Sequence, residues 1–137
     1  MQTAKVKWMG GEEFLATMPS GVTVMFDAGS SYKKGPGPME ALLGALGACT
    51  SVDVAMILAK KRQKLESLEV EVSGERASEP PEVWTKIEMV YRLTGELTEK
   101  AVRDAIELSQ SKYCSVAAML RKTAAITYRH EILPPHS

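Results

Sequence analysis

Two cysteines carry most of the redox chemistry this sequence offers. Cys49 lies in Gly44-Ala45-Leu46-Gly47-Ala48-Cys49-Thr50-Ser51, where small neighbours leave room for another backbone or a substrate to approach the thiol. Cys114 lies in Lys112-Tyr113-Cys114-Ser115-Val116-Ala117, in the first turn of an expected short helix. At such a terminus the unpaired N–H groups and the helix dipole favour thiolate over thiol, which lowers a cysteine pKa and raises its reactivity. The plainer reading of each is a small packing hydrophobe, since free cysteine is among the most buried residue types. Spacing does not say whether the two meet; a bridge needs their Cα atoms within about 7 Å. In a reducing compartment such residues are more often free thiols, and a disulfide that does form there is usually transient and catalytic.

Other constellations point away from chemistry. His130 and His136 with two distant cysteines lack the close ligand pairs of a zinc site, so no metal is expected. Gly35-Pro36-Gly37-Pro38 lacks the Lys-Ser/Thr ending of a phosphate loop, and its prolines remove backbone donors. It reads as the loop before a helix. No serine sits in a nucleophile elbow, and no cofactor is expected.

The chain has 137 residues, 45% hydrophobic and 25% charged, which favours one domain over residues 1–137 and a core that needs no disulfide or metal staple. Seventeen basic residues balance seventeen acidic ones, with a pI near 6.7. No excess charge is available for a polyanion, so no nucleic-acid partner is expected. Met1 to Gly10 carries Lys5 and Lys7 without an apolar run before a small-residue cleavage site, and a cytoplasmic location is expected. The tract Ala41 to Ala59 is interrupted by Thr50, Ser51 and Asp53 and is rich in Gly and Ala. It reads as a buried helix of a soluble protein, with no membrane partner.

The elements that must position the thiols follow from turn chemistry and periodicity. Lys5 to Trp8, Phe14 to Thr17 and Val22 to Asp27 are rich in β-formers and separated by Gly10-Gly11 and Pro19-Ser20-Gly21, which predicts a β-meander. Ala28 to Gly37 is a loop that leaves Pro38 at a favourable first helical position. From Met39 to about Leu58 apolar residues occur at almost every angle, which predicts a helix covered by protein on most sides. Lys60, Lys61, Arg62 and Lys64 crowd its end, where they suit the helix dipole and solvent. Leu68 to Ser73 and Val83 to Leu93 alternate as strands with one wet face, joined by the loop Gly74 to Glu82. Thr98 is a plausible N-cap for an amphipathic helix that buries Ala101, Val102, Ala105, Ile106 and Leu108. After a break near Ser111-Lys112, Tyr113 to Lys122 reads as a short helix, and Ala125 to Leu133 as a last strand before a frayed Pro134-Pro135 tail. The order β3-α-β2-α-α-β is an α+β domain.

Pro36 to Val54, with its Pro38-Met39-Glu40-Ala41-Leu42 start and Gly47-Ala48-Cys49 centre, resembles the cysteine helix of the OsmC/Ohr superfamily of osmotically induced and organic hydroperoxide resistance proteins. Lys112 to Ala117 resembles that family's second cysteine motif, and the element order matches along nearly the whole chain. Val6-Lys7-Trp8, the Pro38-Met39-Glu40 helix start and Leu108-Ser109 ahead of Lys112 to Ala117 look most like the YhfA-type branch.

The resemblance implies an OsmC-like fold in an intertwined homodimer with the two long helices at its centre. It also implies thiol-dependent peroxidase chemistry at the subunit interface, with Cys49 attacking the peroxide and Cys114 resolving. The thiolate becomes a sulfenic acid, the second thiol condenses with it, and an external dithiol reduces the disulfide. Apolar neighbours of Cys49 suit a small organic hydroperoxide, because burying an alkyl tail is favourable by about 0.8 kcal/mol per CH₂.

Two departures accompany the match. Peroxidatic members carry an arginine from the amino-terminal strands, whereas here none precedes Arg62, and Lys33 or Lys34 cannot hold two oxygens as a guanidinium does. The family's paired acid falls at Met39, while this chain has Glu40 one residue later. Glu40 is the candidate catalytic acid, but it lies about 180° around and roughly 13 Å along a straight helix from Cys49, so it could act only from a bent helix start or a partner chain. Asp53 shares a face with Cys49, where an unpaired carboxylate would raise a thiol pKa; a bond to a polar neighbour is expected instead. The alternative function is a non-peroxidatic dimer that binds a small apolar or thiol-reactive ligand at the same interface.

Overall fold

The computed structural model describes residues 1–135; His136 lies outside the described residues. They form two compact units, Met1–Leu42 and the chain from Leu43 onward.

In the first unit, β1 (Lys5–Gly10), β2 (Glu13–Thr17) and β3 (Thr23–Asp27) form an antiparallel sheet in that order. The turn residues act as the meander reading requires. Gly10 and Gly11 adopt φ of 105° and 55°, conformations that glycine reaches without a Cβ penalty. After β3, the Asp27 carboxylate accepts the backbone N–H of Gly29 at 2.8 Å and of Lys34 at 3.1 Å. Those two bonds, Lys34 first, hold its pKa below the usual carboxylate value and fold the loop so that Pro36 O accepts the Asp27 N–H. A Cβ on Gly35 would overlap Met25 O and lie 2.7 Å from Met25 C, so the loop closes only on glycine.

Helix α1 (Pro38–Lys60) begins in this unit with Pro38 at its first position. By length and composition it could cross a membrane. In the second unit it instead seats Leu46, Thr50, Val54 and Leu58 in the core, one residue per turn. Gly47 sits close to β4, where an added Cβ would lie 3.3 Å from Val72 Cγ2. Burial by the helix's own chain is therefore one-sided. Val52 and Met56 are each 58% exposed, because the chain lays its own core against one stripe only.

The second sheet has the order β4 (Lys64–Arg76), β5 (Trp84–Glu96), β6 (Ala125–Leu133), with β4 antiparallel and β6 parallel to the central β5. The alternation read in β5 is real: Ile87, Met89, Tyr91 and Leu93 all face the core. Strand β4 is longer than its periodic part. It includes Lys64, which belongs to a strand and not to the helix end, because pairing with Glu96 and Gly95 extends it. Thr98 caps α2 (Glu99–Leu108) by accepting the Ala101 N–H at 3.2 Å, as its position predicts.

The break after α2 is a π turn, Ser109–Tyr113, closed by Cys114 N–H donating to Ser109 O at 2.8 Å. Helix α3 is then only Ser115–Leu120, and Cys114 is its N-cap and not a residue of its first turn. The α+β order of elements is the expected one.

Candidate active site

Cys49 and Cys114 come together in the second unit. Cys49 is half-buried on α1, one residue before the buried Thr50 and one turn before Asp53. Cys114 is 3% exposed, and its Sγ accepts the Ala117 N–H at 3.4 Å. The two thiols are free and belong to one packed core, Cys114 within it and Cys49 against it, near enough that Cys49 disfavours ionisation of Cys114.

Burial pushes the Cys114 thiol up to about 11, reinforced by Cys49 and the Asp53 carboxylate and opposed by the Ala117 N–H. This reverses the expected lowering at a helix start. A six-residue helix supplies one useful N–H here, and removing the sulfur from water outweighs it.

A π turn accommodates one more residue than an α turn, and here it turns both Ser109 and Gln110 inward, where each is buried. The Ser109 hydroxyl donates to Asp53 Oδ2 at 2.9 Å and lies 2.7 Å from Thr50 Oγ1. Thr50 Oγ1 lies 2.6 Å from the Tyr91 hydroxyl, which accepts from Gln110 Nε2 at 2.6 Å. Arg121 donates to Gln110 O at 2.6 Å. Burial raises the Tyr91 pKa, against the opposing bonds from Thr50 and Gln110, so its hydroxyl stays protonated. Asp53 has the polar neighbour that was expected.

Glu40 is placed otherwise. Its carboxylate accepts the Gly37 N–H at 3.0 Å and lies 3.7 Å from Lys33 Nζ, satisfying a donor that every helix start leaves open. His130 is held 2.6 Å from Glu99. Sequence reasoning missed Thr50, Ser109, Gln110 and Arg121 as members of one cluster. The available signal was Tyr91, a hydroxyl on an otherwise apolar strand face, which needs a buried partner.

Residues 30–129 match the family described as OsmC, OsmC-like protein. The chain belongs to the OsmC-like family. This OsmC-like chain is 43% identical to Protein YhfA of Escherichia coli (strain K12) over 131 residues, covering 95% of this chain and 97% of that protein. A hypothetical protein from Aquifex aeolicus VF5 has the same fold at 31% identity with a TM-score of 0.89, over 99% of this chain and 98% of that one. The organic hydroperoxide resistance protein OhrB of Bacillus subtilis shares the fold at 16% identity and a TM-score of 0.62, covering 94% and 98%.

Proposed function

We propose that this OsmC-like protein is a thiol-dependent peroxidase that reduces small organic hydroperoxides. The observation that supports it is that Cys49 and Cys114, 65 positions apart in sequence, pack into the same core of one chain. Cys49 thiolate attacks the terminal peroxide oxygen; the O–O bond breaks, the alcohol leaves, and Cys49 becomes sulfenic acid. Cys114 then attacks Cys49 Sγ, water leaves, and a disulfide forms. An external dithiol restores both thiols through a mixed disulfide.

The test is the intact mass of fully reduced protein after one equivalent of cumene hydroperoxide, with the bridge mapped by digestion without reductant. Loss of two hydrogens with Cys49 joined to Cys114 supports the reading; an unchanged mass after long exposure sinks it. The absence of any arginine before Arg62 favours the second reading in that event, a dimer that binds a small apolar or thiol-reactive ligand.

With Cys114 held up to about 11, its thiolate fraction at pH 7 is on the order of 10⁻⁴. Disulfide formation is therefore expected to accelerate about tenfold per pH unit from pH 7 to 9. Rapid-quench kinetics of a single turnover would measure it, and a flat profile would show that this thiol is not the attacking group.

The partner in this proposal is a second copy of the chain, covering the open stripe of Val52 and Met56 on α1, in a cytoplasmic, reducing setting. Sedimentation velocity at micromolar concentration is expected to show a dimer, and Val52→Glu a monomer. A folded wild-type monomer under those conditions would refute the assembly.

A further inference from the structure

We propose that Ser109 is a positioning residue that keeps the two thiols in bonding register. Ser109 is fully buried and touches both thiol-bearing segments. Its hydroxyl engages α1 within the turn that follows Cys49, through Thr50 at 2.7 Å and Asp53 at 2.9 Å. Its carbonyl accepts the Cys114 N–H at 2.8 Å. One residue thus ties the helix that carries one sulfur to the backbone that carries the other.

The bonds also have a single direction. A hydroxyl owns one hydrogen, and Ser109 gives its own to Asp53. Thr50 must then donate to Ser109, and Tyr91 to Thr50, while Tyr91 accepts from Gln110. Each hydroxyl donates once and accepts at least once, and among the described residues no buried side-chain N or O atom lacks a partner. A satisfied network of this kind specifies one arrangement of its members. The π turn that brings Ser109 and Gln110 inward together is a rare form, frequent at functional sites. A disulfide tolerates little error in Cα separation or torsion, so holding residues 109–114 on α1 raises the effective concentration of one thiol toward the other.

The role rests on the peroxidase reading only where peroxide is used, so the first measurement avoids it. The equilibrium of the full-length protein disulfide with reduced and oxidised dithiothreitol gives the effective concentration of the thiol pair. Ser109→Ala is expected to lower it at least tenfold and Asp53→Ala about as far. Asp53→Asn keeps an acceptor for the Ser109 hydroxyl and is expected to stay within threefold of wild type. Ser67→Ala, which removes the Ser67–Thr94 hydroxyl pair elsewhere in the same unit, should change nothing. In the peroxide assay, Ser109→Ala should prolong the Cys49 sulfenic acid, trapped by dimedone, while leaving its rate of formation within threefold. A wild-type exchange equilibrium in Ser109→Ala overturns the proposal, and so does an equal fall in Asp53→Asn and Asp53→Ala, which would assign the effect to charge. Should Ser109→Ala be unfolded by circular dichroism, the two Asp53 variants decide alone. A wild type inert to hydroperoxide whose exchange equilibrium still falls in Ser109→Ala would refute the peroxidase reading and leave the positioning role standing.

Discussion

Cys49→Ser protein is expected to consume cumene hydroperoxide at least about 10³-fold more slowly than wild type, while Cys114→Ser should still react once and then stop. The difference follows from what each sulfur does. An alcohol is almost never ionised near neutral pH and is a poor nucleophile without an adjacent base, so serine at position 49 removes the attacking group outright. Serine at position 114 leaves that group in place but cannot close a disulfide, so Cys49 accumulates as sulfenic acid. Single-turnover peroxide loss in Cys114→Ser is expected within about tenfold of wild type, and its multiple turnover with a dithiol at least about a hundredfold lower. Dimedone labelling by mass should find one adduct per chain on Cys49 in Cys114→Ser and none in Cys49→Ser. Retained activity in Cys49→Ser would end the proposed mechanism.

The second large effect is on stability. Gly95→Ala is expected to cost roughly 3 kcal/mol or more, from overpacking and an unfavourable backbone conformation together. Gly95 has φ of 141°, in the left-handed half of conformational space. An added Cβ would overlap Lys64 O and lie 3.0 Å from Glu66 N. Both are backbone atoms of β4, where the register with β5 shifts between Leu65 and Ser67, so neither can turn aside as a side chain would. With a urea slope of about 1–3 kcal/mol/M, the unfolding midpoint should fall by about 1 M or more. An unchanged midpoint would mean that β4 and β5 do not cross so closely at this bulge.

Much of the architecture is written in local signals. Gly10-Gly11 and Pro19-Ser20-Gly21 mark turns because few residues take those backbone angles, and Thr98 marks a helix start because its hydroxyl meets an open N–H. The alternation from Ile87 to Leu93 marks a strand because successive side chains point to opposite faces. Strand β4 shows where such signals end. Lys64 to Ser67 carries no clear alternation, and pairing with β5 makes it a strand anyway.

For the site, the sequence by itself determined the two cysteines, the small residues around Cys49, the family they signal and the order of elements that carries them. Tertiary structure alone decided that the two cysteines pack into one core, that Ser109 and Gln110 turn inward on a π turn, and that only one stripe of α1 is covered by its own chain. It also reversed the expected character of Cys114. A helix terminus is a local property that can be read along the chain, whereas burial depends on which distant segments close over the sulfur. Where the two oppose each other, loss of water outweighs the one N–H that the short helix supplies.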